Sequence, residues 1–352
     1  MKNLAPTSKP LVSASILLWH SEKFISGCLE SLFAQTYKNF ELIITDNNDV
    51  PDDGVRIAQE FLEKQKGQYP VKFTSNGRNL GFAAGHNRNI EQGRGKYVLL
   101  LNQDIVLAPN FLEKAVAFLE GQPNACGVQS RCLRLKEKDG RFEKSQIIDS
   151  LGLVMLKNRR IIGRRQGQSA ENYGLKQREI FGLDGAVPVF RREALEEAKI
   201  CLDGRCEYLD EDFLSYKEDV DLAWRFRLLG WRAFYVPEVV AWHARGSGDS
   251  AKKGPVGIVK ERLKISDFAK KLSFRNQRLM QLKNELPLLF FCHLPWLLLK
   301  EVPAWLYFLV FEWRNREAIG GIFKLMPRMW RKRKIIMGKR KAGFWQMARW
   351  FE

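Results

Sequence analysis

The sequence predicts an α/β protein built on a doubly wound, mostly parallel sheet. Three observations carry that expectation. Apolar runs of strand length alternate with amphipathic stretches of helix length through the first half of the chain. Some runs, such as Tyr97 to Leu101, are apolar at every position, as in a strand covered on both faces. Finally, Asp46, Asn102 and Asp104 stand where such runs end, and open α/β sheets bind ligands outside the carboxyl ends of their strands.

Taken in order, Leu11 to Trp19 is the first strand, and a helix from Ser21 places Phe24, Cys28, Leu32 and Phe33 on one face. Glu41 to Asp46 is the second strand, Val55 to Lys64 a helix and Val71 to Ser75 a short strand. A Gly/Asn-rich turn over Asn79 to Asn87 leads into a helix over His86 to Gln92, and Tyr97 to Leu101 follows. Pro109 to Leu133 holds one more helix and strand. Lys136 to Lys144 reads as a charged loop, and Asp149 to Gln168 as strands and turns broken by arginines. Ile180 to Phe190 reads as a strand and Arg191 to Lys199 as a helix. Glu207 to Trp231 holds an acidic stretch and a helix bearing Val220, Trp224 and Leu228. Two short strands, Ala233 to Val236 and Val239 to His243, precede a basic helix over Ile258 to Asn284.

The composition, 45% hydrophobic and 28% charged over 352 residues, is that of a folded globule large enough for one or two cores. A net charge of +18 implies an anionic partner, whether nucleic acid, anionic lipid or a phosphorylated substrate, and is silent on fold. The six cysteines (Cys28, Cys126, Cys132, Cys201, Cys206 and Cys292) show no C-x-x-C pair and read as free thiols of a reducing compartment. Met1 to Pro10 is polar and lacks the apolar core of a signal peptide, so the active part is expected in the cytosol.

Beyond Asn284 the composition shifts. Leu286 to Leu299 and Val302 to Phe311 are apolar, each shorter than the roughly 20 residues that span a bilayer, and Pro287, Pro295 and Pro303 break them further. The tail then alternates basic residues with Trp330, Phe344, Trp345, Trp350 and Phe351. That profile fits a helix lying in an anionic membrane interface, with a solvated basic tail and a membrane-crossing hairpin as rivals.

Chemistry is expected from Asp46 and Asp104 at strand ends and from the Glu218-Asp219 pair. Asp104 is a hard oxygen donor suited to Mg²⁺ or Mn²⁺ on a diphosphate, or else a loop residue capping the next helix. Asp46 is a candidate acceptor for a nucleotide base, its rival role being a helix cap. Gly81 and Gly85 would let backbone approach a nucleotide closely. Asp210, Glu211 and Asp212 read as a solvated loop, His243 as a metal ligand or a packed strand-end histidine, and Trp224 as core. His20, His86 and His293 read as structural. Neither G-x-G-x-x-G nor G-x-x-x-x-G-K-[ST] occurs, which disfavours dinucleotide oxidoreductases and P-loop enzymes.

Six motifs, taken in order and spacing, resemble the family 2 glycosyltransferases: Val12-Ser-Ala-Ser-Ile-Leu-Leu-Trp19, Asp46-Asn-Asn, Asn79-Leu-Gly-Phe-Ala-Ala-Gly-His-Asn87, Asn102-Gln-Asp104, Asp184-Gly-Ala and Glu218-Asp-Val-Asp-Leu-Ala-Trp-Arg225. They are most similar to a bacterial branch that includes rhamnosyltransferases, and the resemblance covers about Leu11 to Gly248. It implies a GT-A fold, here over residues 1–257, and inverting, metal-dependent transfer from a nucleoside-diphosphate sugar; the helical region over 258–352 is expected to associate with a membrane on its composition alone. By the same resemblance, Trp19, Asp46, Asn79, Gly81, Phe82, Asn87, Asn102 and Asp184 would bind the nucleotide sugar. Asp104 and His243 would hold Mg²⁺ or Mn²⁺, and Asp219, beside Glu218, would be the general base. The implied partners are the donor, a lipid-linked saccharide acceptor and the anionic cytoplasmic face of the inner membrane, with peripheral attachment and no nucleic acid. Asn102 stands where the family commonly has an Asp, and Trp19-His20 where it commonly has Tyr-Asn. Gln346-Met-Ala-Arg-Trp350 matches a signature of processive synthases but lies far beyond Asp219 and is taken as coincidence. The rival reading is a basic membrane- or nucleic-acid-binding module on a degenerate sheet of this type.

Overall fold

The computed structural model describes residues 9–139, 141–244 and 255–352, so most of the polar N-terminal stretch and the last residues of the resemblance, 245–248, lie outside the described residues. β1 (Val12–Leu18), α1 (Ile25–Phe33), β2 (Phe40–Asp46), α2 (Asp53–Lys64), β3 (Val71–Ser75), α3 (Gly81–Gln92) and β4 (Tyr97–Leu100) alternate much as the apolar runs predict. Their strands pair in parallel in the order β3-β2-β1-β4, with Leu18 opposite Asp46. Every residue of β2 is buried, because helices cover both faces. Strand alternation then sorts the side chains. Val12, Ala14, Ile16 and Leu18 join Leu29, Leu32 and Phe33 of α1 in one core, while Val98 and Leu100 meet Ala83 and Ile90 of α3 in another.

The chain continues through β5 (Ile105–Leu107), α4 (Phe111–Gly121), β6 (Ala125–Lys138), β7 (Arg141–Ser150), β8 (Leu153–Met155), β9 (Ile161–Gly163), β10 (Arg178–Ile180) and β11 (Val189–Arg191). α5 (Arg192–Ala198), β12 (Ile200–Leu202), β13 (Arg205–Glu207), α6 (Glu218–Leu228) and β14 (Arg232–His243) follow; β8–β9 and β12–β13 are separate antiparallel pairs, and the other strands extend the main sheet. Beyond β4 the order continues β11-β6-β14-β10, with β11 and β10 running against the other strands of that path. The sheet is therefore mostly parallel, as expected.

After α7 (Pro255–Leu263), a third core joins this sheet region to the C-terminal helices α8 (Asp267–Asn284), α9 (Pro287–Cys292), α10 (Leu294–Phe311), α11 (Glu317–Lys339) and α12 (Phe344–Ala348). Val220, Trp224 and Leu228 of α6 pack there with Phe274 and Leu279 of α8, Phe308 of α10, Met329 and Ile336 of α11 and Met347 of α12. The basic helix α11 is thus half-embedded in protein.

Several elements depart from the sequence reading. Residues 136–144 are the tip of the antiparallel β6–β7 hairpin, where Lys138 pairs with Arg141. The expected strand 180–190 is interrupted: Ile180 ends β10, Gly182 makes one bridge to Leu153, and a loop precedes β11, which starts at Val189. The two strands before His243 are one strand with a register shift between Val236 and Val240, around Pro237, which has no N–H to give the ladder. The basic helix splits in two, because the Ser266 hydroxyl caps α8 on the Ala269 N–H. α10 runs unbroken through Pro303, and by length and composition it can cross a membrane. Cys201 and Cys206, read as thiols, form a disulfide, since they face each other across the β12–β13 hairpin. Of the acidic loop, Glu211 is exposed as expected, but Asp210 and Asp212 are engaged by lysines. Asp210 is fully buried between Lys283 and Lys332, and Lys332 also reaches Glu207 and Asp212.

Candidate active site

The site lies at the carboxyl ends of β1, β2 and β4, where the chain leaves a buried strand and polar groups become available to a ligand. Asn102 follows β4 directly, and its backbone N–H donates to the Ala186 carbonyl at 3.0 Å. Gln103, left unassigned in the sequence, clamps this turn to the end of β1: its amide donates to the Trp19 carbonyl at 2.6 Å and accepts from the Trp19 N–H at 2.9 Å. Trp19 is half exposed, with its ring edge against His20.

Asp104 stands just before β5, which pairs antiparallel with the end of β14 and so brings Ile105 opposite His243. Asp104 Oδ2 lies 3.2 Å from His243 Nε2, and His243 Nδ1 lies 2.8 Å from Asp149 Oδ2. Burial disfavours an imidazolium here, yet Asp104 and Asp149 outweigh it and push His243 up to about 10. Asp149, at the end of β7, is 1% exposed; in the sequence it only opens a stretch that reads as strands and turns, with nothing to mark it as a site residue.

These residues fit a divalent cation. The 3.2 Å gap suits neighbouring ligands each about 2.1 Å from one ion. Asp149 holds the remote ring nitrogen, the usual partner of a metal-ligating histidine. Cys132, Asp149 and His243 form an alternative donor set whose ligand atoms lie within 4.8 Å of one another, but Cys132 and Asp149 are buried. An ion carried on a diphosphate needs hard oxygen ligands and access, which points to the Asp104 side.

The Asp184–Ala186 loop joins this half to the acids of α6. The Asp184 carboxylate accepts from the Gln129 amide at 3.0 Å and from the Ala186 N–H at 3.2 Å, and burial, with Asp149 adding, raises its pKa. The next residue, Gly185, donates its N–H to Asp219 Oδ2 at 3.2 Å, while Asp219 Oδ1 accepts from the Val220 N–H at 2.7 Å. Burial raises the Asp219 pKa as well. Glu218 is 7% exposed, its Oε2 has no hydrogen-bond partner, and burial followed by the Asp219 charge pushes it up to about 8. The neighbouring carboxyls thus differ in environment: Glu218 holds its proton at neutral pH, while Asp219 receives two backbone N–H bonds, which favour its charged form.

Asp46 opens at the same edge, but its carboxylate is engaged, accepting from the Asn48 N–H and amide at 3.0 Å each and from the Ser75 hydroxyl at 3.2 Å. Asn47, not singled out in the sequence, is the hub of the neighbouring turn. It donates to Asn79 Oδ1 and accepts from the Leu80 N–H and the Asn76 amide. Asn79 in turn accepts from the Gly81 N–H at 2.8 Å.

Gly81 and Gly85 have a different reason from close nucleotide approach. Gly81 has φ +79°, and a Cβ there would stand 2.6 Å from the Leu214 carbonyl oxygen; one on Gly85 would strike Leu17. These glycines seat α3 against β1 and against the loop that precedes Asp219. Phe82 lies beside Gly185 and edge-on to His86. Asn87 is not brought to the crevice. It is buried, and its amide binds the Leu209 backbone and Glu211. His86 bonds Ser15, and His293 bonds Arg159, so both are structural as expected. Gln346 caps its own helix through the Gly343 N–H, which gives the synthase-like signature a local structural use.

The comparisons with known proteins agree with this architecture. The family model described as glycosyl transferase family 2 matches residues 13–198, just over half of the chain and short of α6 and His243. An uncharacterized glycosyltransferase of Methanocaldococcus jannaschii is 34% identical over 113 residues, covering 32% of this chain and 38% of the relative. The putative glycosyltransferase EpsE of Bacillus subtilis is 34% identical over 114 residues, covering 32% and 40%. These matches span well under half of the relatives' own length. Among solved structures, a mannosyltransferase from Pyrobaculum calidifontis in complex with GDP-Man and Mn²⁺ aligns over 97% of this chain and 79% of its own, with TM-score 0.50 and 17% identity. TarS 1–349 of S. aureus aligns over 93% and 88%, with TM-score 0.52 and 15% identity. The sheet order is that of the GT-A fold, and the chain belongs to the family 2 glycosyltransferases.

Proposed function

We propose that the protein transfers a hexosyl group from a nucleoside-diphosphate sugar to a hydroxyl of a lipid-linked saccharide at the cytoplasmic face of the inner membrane, with inversion at the anomeric carbon. The observation that carries this reading is the bridge Asp104–His243–Asp149 on one side and Glu218-Asp219 on the other, joined through the Asp184–Ala186 loop. Donor and acceptor chemistry then meet in one crevice. The GDP-mannose and Mn²⁺ of the Pyrobaculum enzyme support a nucleotide-sugar donor and a divalent ion.

Asp104 and His243 would hold the ion, which neutralises charge growing on the leaving diphosphate. Asp219 takes the proton of the acceptor hydroxyl, and burial makes its carboxylate a stronger base than one in water. The oxygen attacks opposite the diphosphate, so one displacement inverts the centre. Glu218, protonated beside it, keeps the pair from carrying two charges. Rhamnose is the sugar to test first, because the motifs resemble the rhamnosyltransferase branch.

The exposed apolar face of α9 and α10 supports membrane attachment. Leu288, Phe291, Leu299, Val302, Leu306 and Phe311 are each more than half exposed, far more contiguous apolar surface than a soluble face carries.

A melting-temperature screen against dTDP-rhamnose, UDP-N-acetylglucosamine and GDP-mannose, with and without Mn²⁺, identifies the donor, since a ligand of the folded state raises stability. Transfer is then measured for Asp104→Ala and Asp219→Asn. We expect both to lose activity by at least about 10²-fold; activity retained in both removes the mechanism.

A further inference from the structure

We propose that Asn276 of α8, outside the residues matched to the family, is a positioning residue that holds the acceptor-side base in place. The inference rests on the reading of Asp219 as that base. Between the buried Phe213 and the first turn of α6, the chain passes through Leu214, Tyr216 and Lys217 with φ of +64°, +68° and +77°. Side chains with a Cβ rarely adopt this left-handed region, and three such residues in four positions relax unless something outside the loop holds them.

Asn276 is that constraint. It is fully buried, and its amide nitrogen donates to the carbonyls of Phe213 at 2.9 Å, Ser215 at 2.9 Å and Tyr216 at 2.8 Å. Two N–H groups thus serve three acceptors that the left-handed turns point the same way. Arg275 adds a bond from its guanidinium to the Asp212 carbonyl at 2.7 Å. From the opposite side, the Leu214 carbonyl accepts from the Ala83 N–H at 3.2 Å, and Gly81 leaves the room for that contact. The loop is pinned between α3 and α8, and Lys217 is the last residue before α6 begins. Loop shape therefore sets where the first turn of α6 starts, and with it whether Asp219 reaches the Gly185 N–H.

α8 is itself anchored on both sides of Asn276. Phe274 stacks on Phe308 of α10 at 3.8 Å, and Arg278 pairs with Glu301 at 2.6 Å. An amide on a rigid helix is a precise anchor. Losing it shifts the base by a fraction of its hydrogen-bond length, and misplacement near 1 Å costs about 10²-fold in rate.

The test uses the full chain, the donor that raises the melting temperature among dTDP-rhamnose, UDP-N-acetylglucosamine and GDP-mannose, and a bacterial membrane-lipid extract as acceptor. Turnover is expressed per folded molecule, counted by donor binding. Asn276→Ala is expected to lower kcat by about 10²-fold with donor KM and the donor-induced melting shift unchanged. Asn276→Asp keeps the volume but offers only acceptors when ionised. It is expected to show the same loss at pH 8 and part recovery near pH 5.5, where a protonated carboxyl donates one bond. Asn276→Ser, retaining one donor, stands in if the alanine variant does not fold, and is expected to fall between. If these variants only melt earlier and keep wild-type kcat and pH profile per folded molecule, Asn276 is merely structural and the proposal is overturned. Asp219→Asn run alongside separates the two readings. Wild-type turnover in that variant removes the base assignment itself; its loss, with the Asn276 variants normal, removes only the positioning role.

Discussion

Glu218 illustrates what a single burial does to chemistry. Its carboxyl sits near 8 when folded and near 4.5 when free, so the two states differ in protons between those values. Below the lower value both hold the proton. As pH rises between them the unfolded chain releases its proton and the folded chain does not, which favours unfolding; above about 8 the penalty is constant. Glu218→Gln is therefore expected to melt higher than wild type, by a margin that grows from pH 5 to pH 8 and then levels, as read by calorimetry. Asp149 acts on a neighbour instead. Asp149→Ala removes the hydrogen bond that aims His243, and Mn²⁺ affinity by titration calorimetry is expected to fall about 10- to 100-fold. Gly81→Ala is expected to destabilise the fold and to lower turnover, because its Cβ meets the backbone of the loop before Asp219. Of these residues, Glu218 and Gly81 were legible because they sit in motifs. Asp149 was not, since only the β6–β7 hairpin brings it to His243, from 94 residues away.

Among elements, α10 stands out: 11% of it is buried, although Lys300-Glu301 alone interrupts its apolar run. The same residues at the same hydropathy, had they been core, would contact other helices on every side. With Arg314, Arg316 and Lys324 following, the helix fits the proposed membrane attachment, in which its apolar side would enter lipid while the cations meet headgroups. Leu299→Glu with Val310→Glu is expected to abolish flotation with vesicles rich in phosphatidylglycerol while leaving the melting temperature within a few degrees, since both side chains are exposed. Flotation unchanged in that double variant argues against α10 as the contact. The sequence reading had the apolar character right and the continuity wrong. Pro303 sits within a helix whose exposed side can leave a carbonyl unpaired, so it does not end the helix.

For the whole molecule, some of the basic residues are internal and paired with acids. Lys283 and Lys332 are fully buried and neutralise Asp210, Asp221, Glu207 and Asp212, tying α8 and α11 to the loop before the active-site helix. Lys332→Ala leaves Asp210 and its neighbours short of a cation, and a loss of about 3–5 kcal/mol in denaturant unfolding is expected. For the same reason, removing residues 286–352 is expected to give an aggregated or unfolded chain. Trp224 and Leu228 of α6 would lose Phe308, Met329, Ile336 and Met347, with which they form one core. The tail is thus part of the catalytic body, a point that composition, which registers only its basic and aromatic residues, had obscured.

The sequence by itself determined what depends on neighbours along the chain: the alternation of strands and helices, the strand-end acids, the motif order that marks the family, and the apolar character of the last third. Those follow from local periodicity and spacing. Only the tertiary structure decided that Asp149 orients His243, that Asn87 supports a loop instead of facing the crevice, that Asp210 is buried against α8 and α11, and that two cysteines are joined. Each of these is a contact between segments distant or turned back in the chain. Burial and charge pairing there depend on how the layers stack, which no window of sequence contains.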